Sequence, residues 1–519
     1  MLIKEQLRQI YFDLSSGALS QSEAIEKIRA IKMRQQATAS TALLCPVWEA
    51  SNLVLTETVS DYVDHQVLLR EIPETNSEPN LARLFSNCAV ACFEQIQAIL
   101  RNKPTGKVLL QIVVPSDGPK AVLAGLSGLL KTAALESPQI TGQLIIIPAQ
   151  TSTAELDQLL QQEKRHGRAA MVRYDRGERQ VMRWREVEPN TKSLPSAFQE
   201  NGVYLITGGL GALGLLFAKE ILRRNARVVL TGRQPLTSKI QEMVDGLSAE
   251  TGCLIYRQID VANLDQVHSA VEAAHNEWGR LNGILHCAGT IQDNFLLKKT
   301  SAEFRDVIES KVAGTFNIDE ATQSLELDFF VMFSSIAGAL GNVGQADYAV
   351  ANAFMDQFAA YRSGRVAAKK LYGRTLSINW PLWQDGGMSM DAVSSELFRN
   401  NIGFEPIQTE IGIEMFRRCL ASPQARILVA NGDPARIRRS LLSTVQPLRK
   451  PRVAAAVQLV PEDLREKTLY YLCKELSGAL KLPAGKIDSQ ANFGEYGIDS
   501  ILAMGLTSHL EKSFGVLPK

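Results

Sequence analysis

Between Phe333 and Asp356 the chain reads FSSIAGALGNVGQADYAVANAFMD: an apolar strand-like end, a Gly-rich loop, then a run of small residues with helical character. Tyr348 and Asn352 stand four residues apart, which puts them on one face of a helix. A serine at the strand end can approach that face from the side, and two compete for the role, Ser334 and Ser335. A hydroxyl, a phenol and an amide gathered in this way form a polar cluster around one substrate atom. A loop and helix of small residues packed tightly for structural reasons would read the same, so the neighbouring elements must decide.

Upstream, a strand over 203–206 runs into Thr207-Gly208-Gly209-Leu210-Gly211-Ala212-Leu213-Gly214 and then a helix over 215–224. Gly209, Gly211 and Gly214 make a GxGxxG at the strand-to-helix junction that dinucleotide binding requires. Glycines let backbone N–H groups approach a pyrophosphate, and the helix N-terminus favours its charge. The next strand ends in Thr231-Gly232-Arg233. An arginine there can pair with a 2′-phosphate where NAD sites carry an acid, so NADPH is expected over NADH. Asp260-Val261 closes the following strand and can reach an adenine, and Cys287-Ala288-Gly289 leaves room for the nicotinamide half. His286 has no acid or metal-ligand partner nearby in sequence and reads as a buried strand residue.

At 519 residues the chain has room for about three to four domains. A composition 45% hydrophobic and 21% charged is that of a soluble globular protein, and cysteines without a disulfide framework make a reduced, cytoplasmic setting the expectation. Lys+Arg 56 against Asp+Glu 55, with no block of one sign, leaves no nucleic-acid footprint. Seven scattered cysteines without a CxxC pair indicate neither a disulfide framework nor a metal site. No apolar run approaches a membrane span.

Along the chain, residues 1–40 read as a helical linker or docking segment, with an N-cap at Ser20 or Ser22 and Glu23 in the following turn. Residues 41–200 alternate strand and helix, but Pro115-Ser116-Asp117-Gly118-Pro119 lacks phosphate-loop spacing, so no chemistry is expected there. Residues 201–440 form the second, richer α/β unit. Residues 441–461, with QPLRKPRVAAAVQLVP around them, read as a linker. Residues 462–519 begin with an amphipathic helix marked by Leu464, Leu469, Leu472, Leu476 and Leu480.

TGGLGALG, LTGR, DVA, HCAG, KVAGTFN and FSSIAGALGNVGQADYAVANAF, in this order, resemble the ketoreductase domains of modular polyketide synthases, within the short-chain dehydrogenase/reductase superfamily. The resemblance covers about residues 41–440. It implies an α/β fold with two Rossmann-like parallel-sheet subdomains, a structural 41–200 and a catalytic 201–440. It implies a tetrad of Tyr348 as proton donor, Ser335 as carbonyl hydrogen-bond donor, and Lys311 and Asn352. Ser335 stands 13 residues before the tyrosine, the spacing that favours it over Ser334. Asn352 occupies the place where ordinary members of the superfamily carry lysine, and Lys311 supplies that cation from the preceding helix. A nearby cation stabilises the phenolate left when a tyrosine of pKa ~10 gives up its proton.

The implied reaction is NADPH-dependent reduction of a carrier-bound β-ketoacyl thioester to the β-hydroxyacyl thioester. Ile291-Gln292-Asp293 keeps only the last acid of the Leu-Asp-Asp that marks B-type members, which make the D-hydroxy product. Leu340 stands where A-type members have tryptophan; both features point to B type. Gln345 and Met388, the latter at the start of the expected substrate lid, complete the substrate-facing set, while Trp380 and Trp383 suit cofactor edge or core alike. Gly497-Ile498-Asp499-Ser500-Ile501 resembles the phosphopantetheine site of an acyl carrier domain with Ser500 as attachment point, here only partial at Lys519. Expected partners are the ketosynthase, carrier domains and a separate acyltransferase of an assembly line, and a phosphopantetheinyl transferase. A fatty acid synthase reductase and a non-reducing scaffold module are the alternatives.

Overall fold

The computed structural model describes residues 2–16, 19–20, 23–24, 27–28, 40–53, 62–70, 80–188, 196–248, 253–388 and 402–442. The expected linker and carrier segment, Ser500 included, lie outside the described residues.

Seven apolar runs separated by helical segments build the second half of the sheet: β7 (Val203–Thr207), β8 (Arg227–Gly232), β9 (Leu254–Gln258), β10 (Gly283–His286), β11 (Phe329–Ser335), β12 (Arg374–Trp380) and β13 (Arg426–Asn431). All neighbours within it pair parallel, in the order β13-β12-β11-β10-β7-β8-β9. Near-continuous apolar strands such as β11, FFVMFSS, are what a sheet covered on both faces requires. The strand order reverses between β7 and β10, and their C-terminal ends carry the glycine loop and Cys287. This is the crevice where open α/β sheets bind ligands.

The preceding half contributes β1 (Thr41–Ala50), β2 (Tyr62–Leu69), β3 (Lys107–Pro115), β4 (Ile140–Ile147), β5 (Met171–Asp175) and β6 (Glu178–Glu186). β1 pairs antiparallel with both β6 and β13, so the two α/β halves share one 13-stranded sheet. The β5–β6 hairpin, which the alternation of strand and helix did not predict, turns on Arg176 and Gly177, both at positive φ (49° and 80°). A two-residue turn of that hand matches the twist of the strands it joins. The sheet lies within one compact unit, Met1–Met388 with Pro406–Asn431. The remaining described residues, 402–405 and 432–442, contain a Phe404–Gly432 bridge and the helix Pro434–Leu441, capped by Asp433.

At the N-terminus a helix spans Leu2–Ser15, and Ser20 and Glu23 exchange side-chain-to-backbone hydrogen bonds as the expected cap. The helix Ala346–Ala367, which carries Tyr348, packs between the halves. It rests on the 3₁₀ turn Pro119–Leu126 and the helix Ser127–Glu136 of the structural half. A Cβ on Gly125 would come within 2.7 Å of Phe354 Cα, and one on Gly128 within 2.5 Å of the Ala349 carbonyl oxygen. Contact this close excludes any side chain at either position. Gly128→Ala is therefore expected to cost about 1–3 kcal/mol through overpacking. Gly246→Ala, in a helix where an added Cβ meets nothing within 4 Å, should stabilise by about 0.5–1 kcal/mol. Thermal unfolding of the two variants should move Tm in opposite directions.

Candidate active site

The glycine loop is shaped by contacts that leave no room for side chains. Gly208 has φ +63°, and a Cβ there would lie 2.8 Å from Ala288 Cα; a Cβ on Gly214 would lie 2.7 Å from Gly209 Cα. Gly209 N–H donates to the Thr231 carbonyl at 2.8 Å, holding the loop on β8. The helix Ala212–Leu222 then starts at Gly211 with no side-chain cap. Its first N–H groups are free of intrahelical partners and aim out of the helix start. Leu210 and Leu213 flank the turn, half-buried against the core on that face.

The other expected cofactor residues line the same edge. Arg233 is exposed just after β8, and Asp260 is half-buried after β9, where its Oδ1 accepts from Ala262 N–H at 3.0 Å. Val261 is buried, its carbonyl accepting from Asn317 Nδ2 at 2.9 Å. After β10, Ala288 N–H donates to Thr207 Oγ1 at 3.3 Å and Cys287 N–H to the Thr207 carbonyl at 3.2 Å, so Thr207 ties the Cys287–Ala288 loop to the glycine loop. Burial pushes the Cys287 thiol far up, away from thiolate chemistry. His286 is fully buried with Nδ1 2.7 Å from Thr207 Oγ1, and burial, then the nearby Lys311, lowers it to about 3. It is a neutral strand residue, as expected. A glycine cradle that a Cβ would fill, an uncapped helix start and an exposed Arg233 fit a dinucleotide.

The four tetrad candidates come together at the end of β11. Ser335 caps the short helix Ile336–Leu340, its Oγ accepting from Ala337 N–H at 3.2 Å, and remains half-buried. Ser334 points the other way: it is buried, its Oγ donates to the Asn352 carbonyl at 3.1 Å and accepts from Asn379 Nδ2 at 2.9 Å. Alternation along a strand sends the two hydroxyls to opposite sides, and only Ser335 is on the tyrosine side.

Tyr348 sits in the first turn of its helix, where the macrodipole favours negative charge. Burial pushes its phenol up, and hydrogen bonding with the Ser335 and Asn352 side chains opposes that rise. Lys311, on the helix Ser301–Ala321, is buried; its Nζ donates to the Phe333 carbonyl at 3.1 Å and lies 5.9 Å from the centre of the tyrosine ring. Burial lowers Lys311 to about 8, with Cys287 and Asp356 opposing. Burial is the largest cause of the shift in both the lysine and the tyrosine. A Cβ on Gly289 would fall 2.8 Å from Lys311 Cε, so that glycine makes space for the lysine stem. Asn352 Nδ2 donates to the Tyr348 carbonyl at 2.7 Å, one turn back, while its buried Oδ1 has no partner.

On the substrate side, Gln345 Nε2 donates to both Asp293 oxygens at 3.0 Å, joining two of the expected stereocontrol residues. Leu340 ends its short helix half-buried, and Met388 is 41% exposed next to Gly387, which has φ +74°. Trp380 and Trp383 are both core residues, packed edge to face at 4.9 Å. Two polar groups escaped the sequence reading. Lys299 Nζ pairs with Asp347 at 2.6 Å, both side chains fully buried, and also donates to the Gln292 carbonyl. Next to Lys298, Lys299 looks like any solvated lysine, and nothing local marks it as buried. The second is Glu136, whose contacts lie 160 and 208 residues away.

A parallel sheet in this strand order, with a glycine cradle at its switch point and a serine, tyrosine, lysine and asparagine at the adjoining strand end, is the architecture of the short-chain dehydrogenase/reductase class. Residues 202–385 match the KR domain family model, and residues 471–517 match the phosphopantetheine attachment site. Polyketide synthase PksL of Bacillus subtilis (strain 168) is 40% identical over 478 residues, covering 89% of this chain and 10% of the relative. Polyketide synthase PksN of the same organism is 34% identical over 502 residues, covering 92% and 9%. The crystal structure of a ketoreductase domain from the bacillaene assembly line is 34% identical with a TM-score of 0.71, covering 78% of this chain and 99% of that one. The chain belongs to the ketoreductase domains of polyketide synthases, followed by a phosphopantetheine-binding segment. It spans about a tenth of the length of the curated relatives it matches.

The cradle yields a direct expectation. Gly208→Ala places a side chain in left-handed backbone against Ala288, a strain of about 1–2 kcal/mol that the loop relieves by opening. Nicotinamide-nucleotide affinity, read by fluorescence titration, should fall about tenfold.

Proposed function

We propose that this chain reduces the β-ketone of a carrier-bound β-ketoacyl thioester to the β-hydroxyl, using NADPH. The observation that carries this is the convergence of Ser335, Tyr348, Asn352 and buried Lys311 beside the glycine cradle. When bound, NADPH supplies a hydride to the β-carbon. Ser335 and the Tyr348 hydroxyl hold the ketone oxygen and polarise its carbonyl. As negative charge grows on that oxygen, Tyr348 passes its proton to it. The raised phenol pKa keeps that proton in place until then. The helix start and Lys311 stabilise the resulting phenolate, and Lys311 and Asn352 lie on the path by which a proton returns. Asn352, with its unpartnered Oδ1, suits a water on that path.

Arg233 supports NADPH over NADH, since an exposed guanidinium at the end of β8 can pair with a 2′-phosphate. Asp260 and Val261 would hold the adenine end of the cofactor, and Cys287, Ala288 and Gly289 would leave room for its nicotinamide end. Asp293 joined to Gln345, with Leu340 in place of a tryptophan and Met388 at the lid, supports B-type delivery and a D-hydroxy product. Ser500, within the matched carrier segment, is the proposed phosphopantetheine attachment, and the natural substrate is delivered on such an arm.

NADPH oxidation with a β-ketoacyl thioester mimic tests this reading. Tyr348→Phe should lose at least about 10²–10⁴-fold in kcat, the usual worth of a general acid. Lys311 is charged below its pKa of about 8, so kcat should fall as pH rises through that value. Equal rates in the two proteins, or no turnover by unmodified protein on any chain length, would sink the proposal.

A further inference from the structure

One acid of the structural half reaches both loops that flank the tyrosine. Glu136 ends the helix Ser127–Glu136, half-buried. Its Oε2 accepts from Leu296 N–H at 2.8 Å and its Oε1 from Gly344 N–H at 2.9 Å. Asn294 N–H donates to the Gly344 carbonyl at 2.8 Å, so the two loops also touch each other. The same loops carry Asp293 and Gln345, bonded side chain to side chain.

We infer that Glu136 is a positioning residue: by holding Leu296 and Gly344, it sets the spacing of the loops that carry Asp293 and Gln345, and hence the ketone face offered to hydride. The inference rests on the B-type reading above. Two N–H donors are matched by the two strong acceptor oxygens of an ionised carboxylate. Protonation weakens one of those oxygens as an acceptor, and an amide in its place presents an N–H donor to a donor and frees one loop. Burial raises Glu136 to about 7. Besides the two N–H groups, Lys299 from the loop before the helix Ser301–Ala321 favours the charged form, and Asp347 from the tyrosine helix disfavours it. The clamp is therefore intact above about pH 7 and lost as pH falls through it.

The test uses the full chain, unmodified and as Glu136→Gln. Amide hydrogen exchange is followed at Leu296 and Gly344, corrected for its intrinsic pH dependence, and the enantiomer ratio of the reduced thioester mimic is measured from about pH 8 to about pH 6. Expected in the variant are at least tenfold faster exchange at one or both amides and at least a tenfold loss in enantiomer ratio, with NADPH affinity within twofold. The unmodified ratio should fall with pH while that of the variant stays flat. Unchanged exchange at both amides overturns the clamp, and an unchanged enantiomer ratio with the amides released overturns its role in facial choice. Absence of any reduction by unmodified protein counts against the proposed function, while exchange still decides the clamp. If Glu136→Gln does not fold, exchange in the unmodified chain across that pH range decides: faster exchange at low pH supports the clamp, and no change overturns it.

Discussion

The tyrosine helix can sit where it does only because the structural half presents bare backbone to it. At Gly125 and Gly128 the two surfaces approach to distances at which no Cβ fits. Such proximity also brings Lys131 Nζ to the Ala339 carbonyl at 2.8 Å and Thr132 Oγ1 to Asn342 N–H at 3.3 Å. The helix and loop that hold Ser335 and Tyr348 are thus fixed from outside the catalytic half. The pairing of β1 with β13 joins the two halves in one sheet, so the first half braces the helix that carries Tyr348.

Within that frame, burial is the force that sets proton positions. It lowers Lys311 to about 8, raises Tyr348 and keeps His286 neutral, so the phenol holds its proton beside a lysine whose charge burial disfavours. Asn379 joins β12 to this frame, bonding Ser334 Oγ at 2.9 Å and the Ser335 carbonyl at 2.9 Å. That network engages the Ser334 hydroxyl, while the half-buried Ser335 hydroxyl lies on the Tyr348 side. A buried, hydrogen-bonded set of this kind fixes geometry before substrate arrives, which is what electrostatic catalysis requires.

Much of this was legible in the residues because the chemistry is local. The glycine loop, the strand-end serine and the tyrosine–asparagine pair each fall within about one supersecondary unit, where spacing translates directly into a shared face. Trp380 was ambiguous in sequence because an aromatic at a strand end suits core and cofactor edge alike. Glu136 and the Lys299–Asp347 pair were not legible: each depends on chain segments brought together by the fold. The β5–β6 hairpin was missed because its turn is Arg-Gly, not the usual Asn-Gly or Asp-Gly. The raised phenol pKa was not legible either, since sequence suggests a neighbouring charge but not how deeply the phenol is buried.

Single-turnover transfer from NADPH deuterated at the reactive C4 position tests the central claim most directly. If Ser335, Tyr348 and Lys311 present a ketone to hydride beside the glycine cradle, one deuterium should appear on the hydroxyl-bearing β-carbon of the thioester, in one enantiomer. Oxidised cofactor with no label in the product, or label at any other carbon, would contradict it.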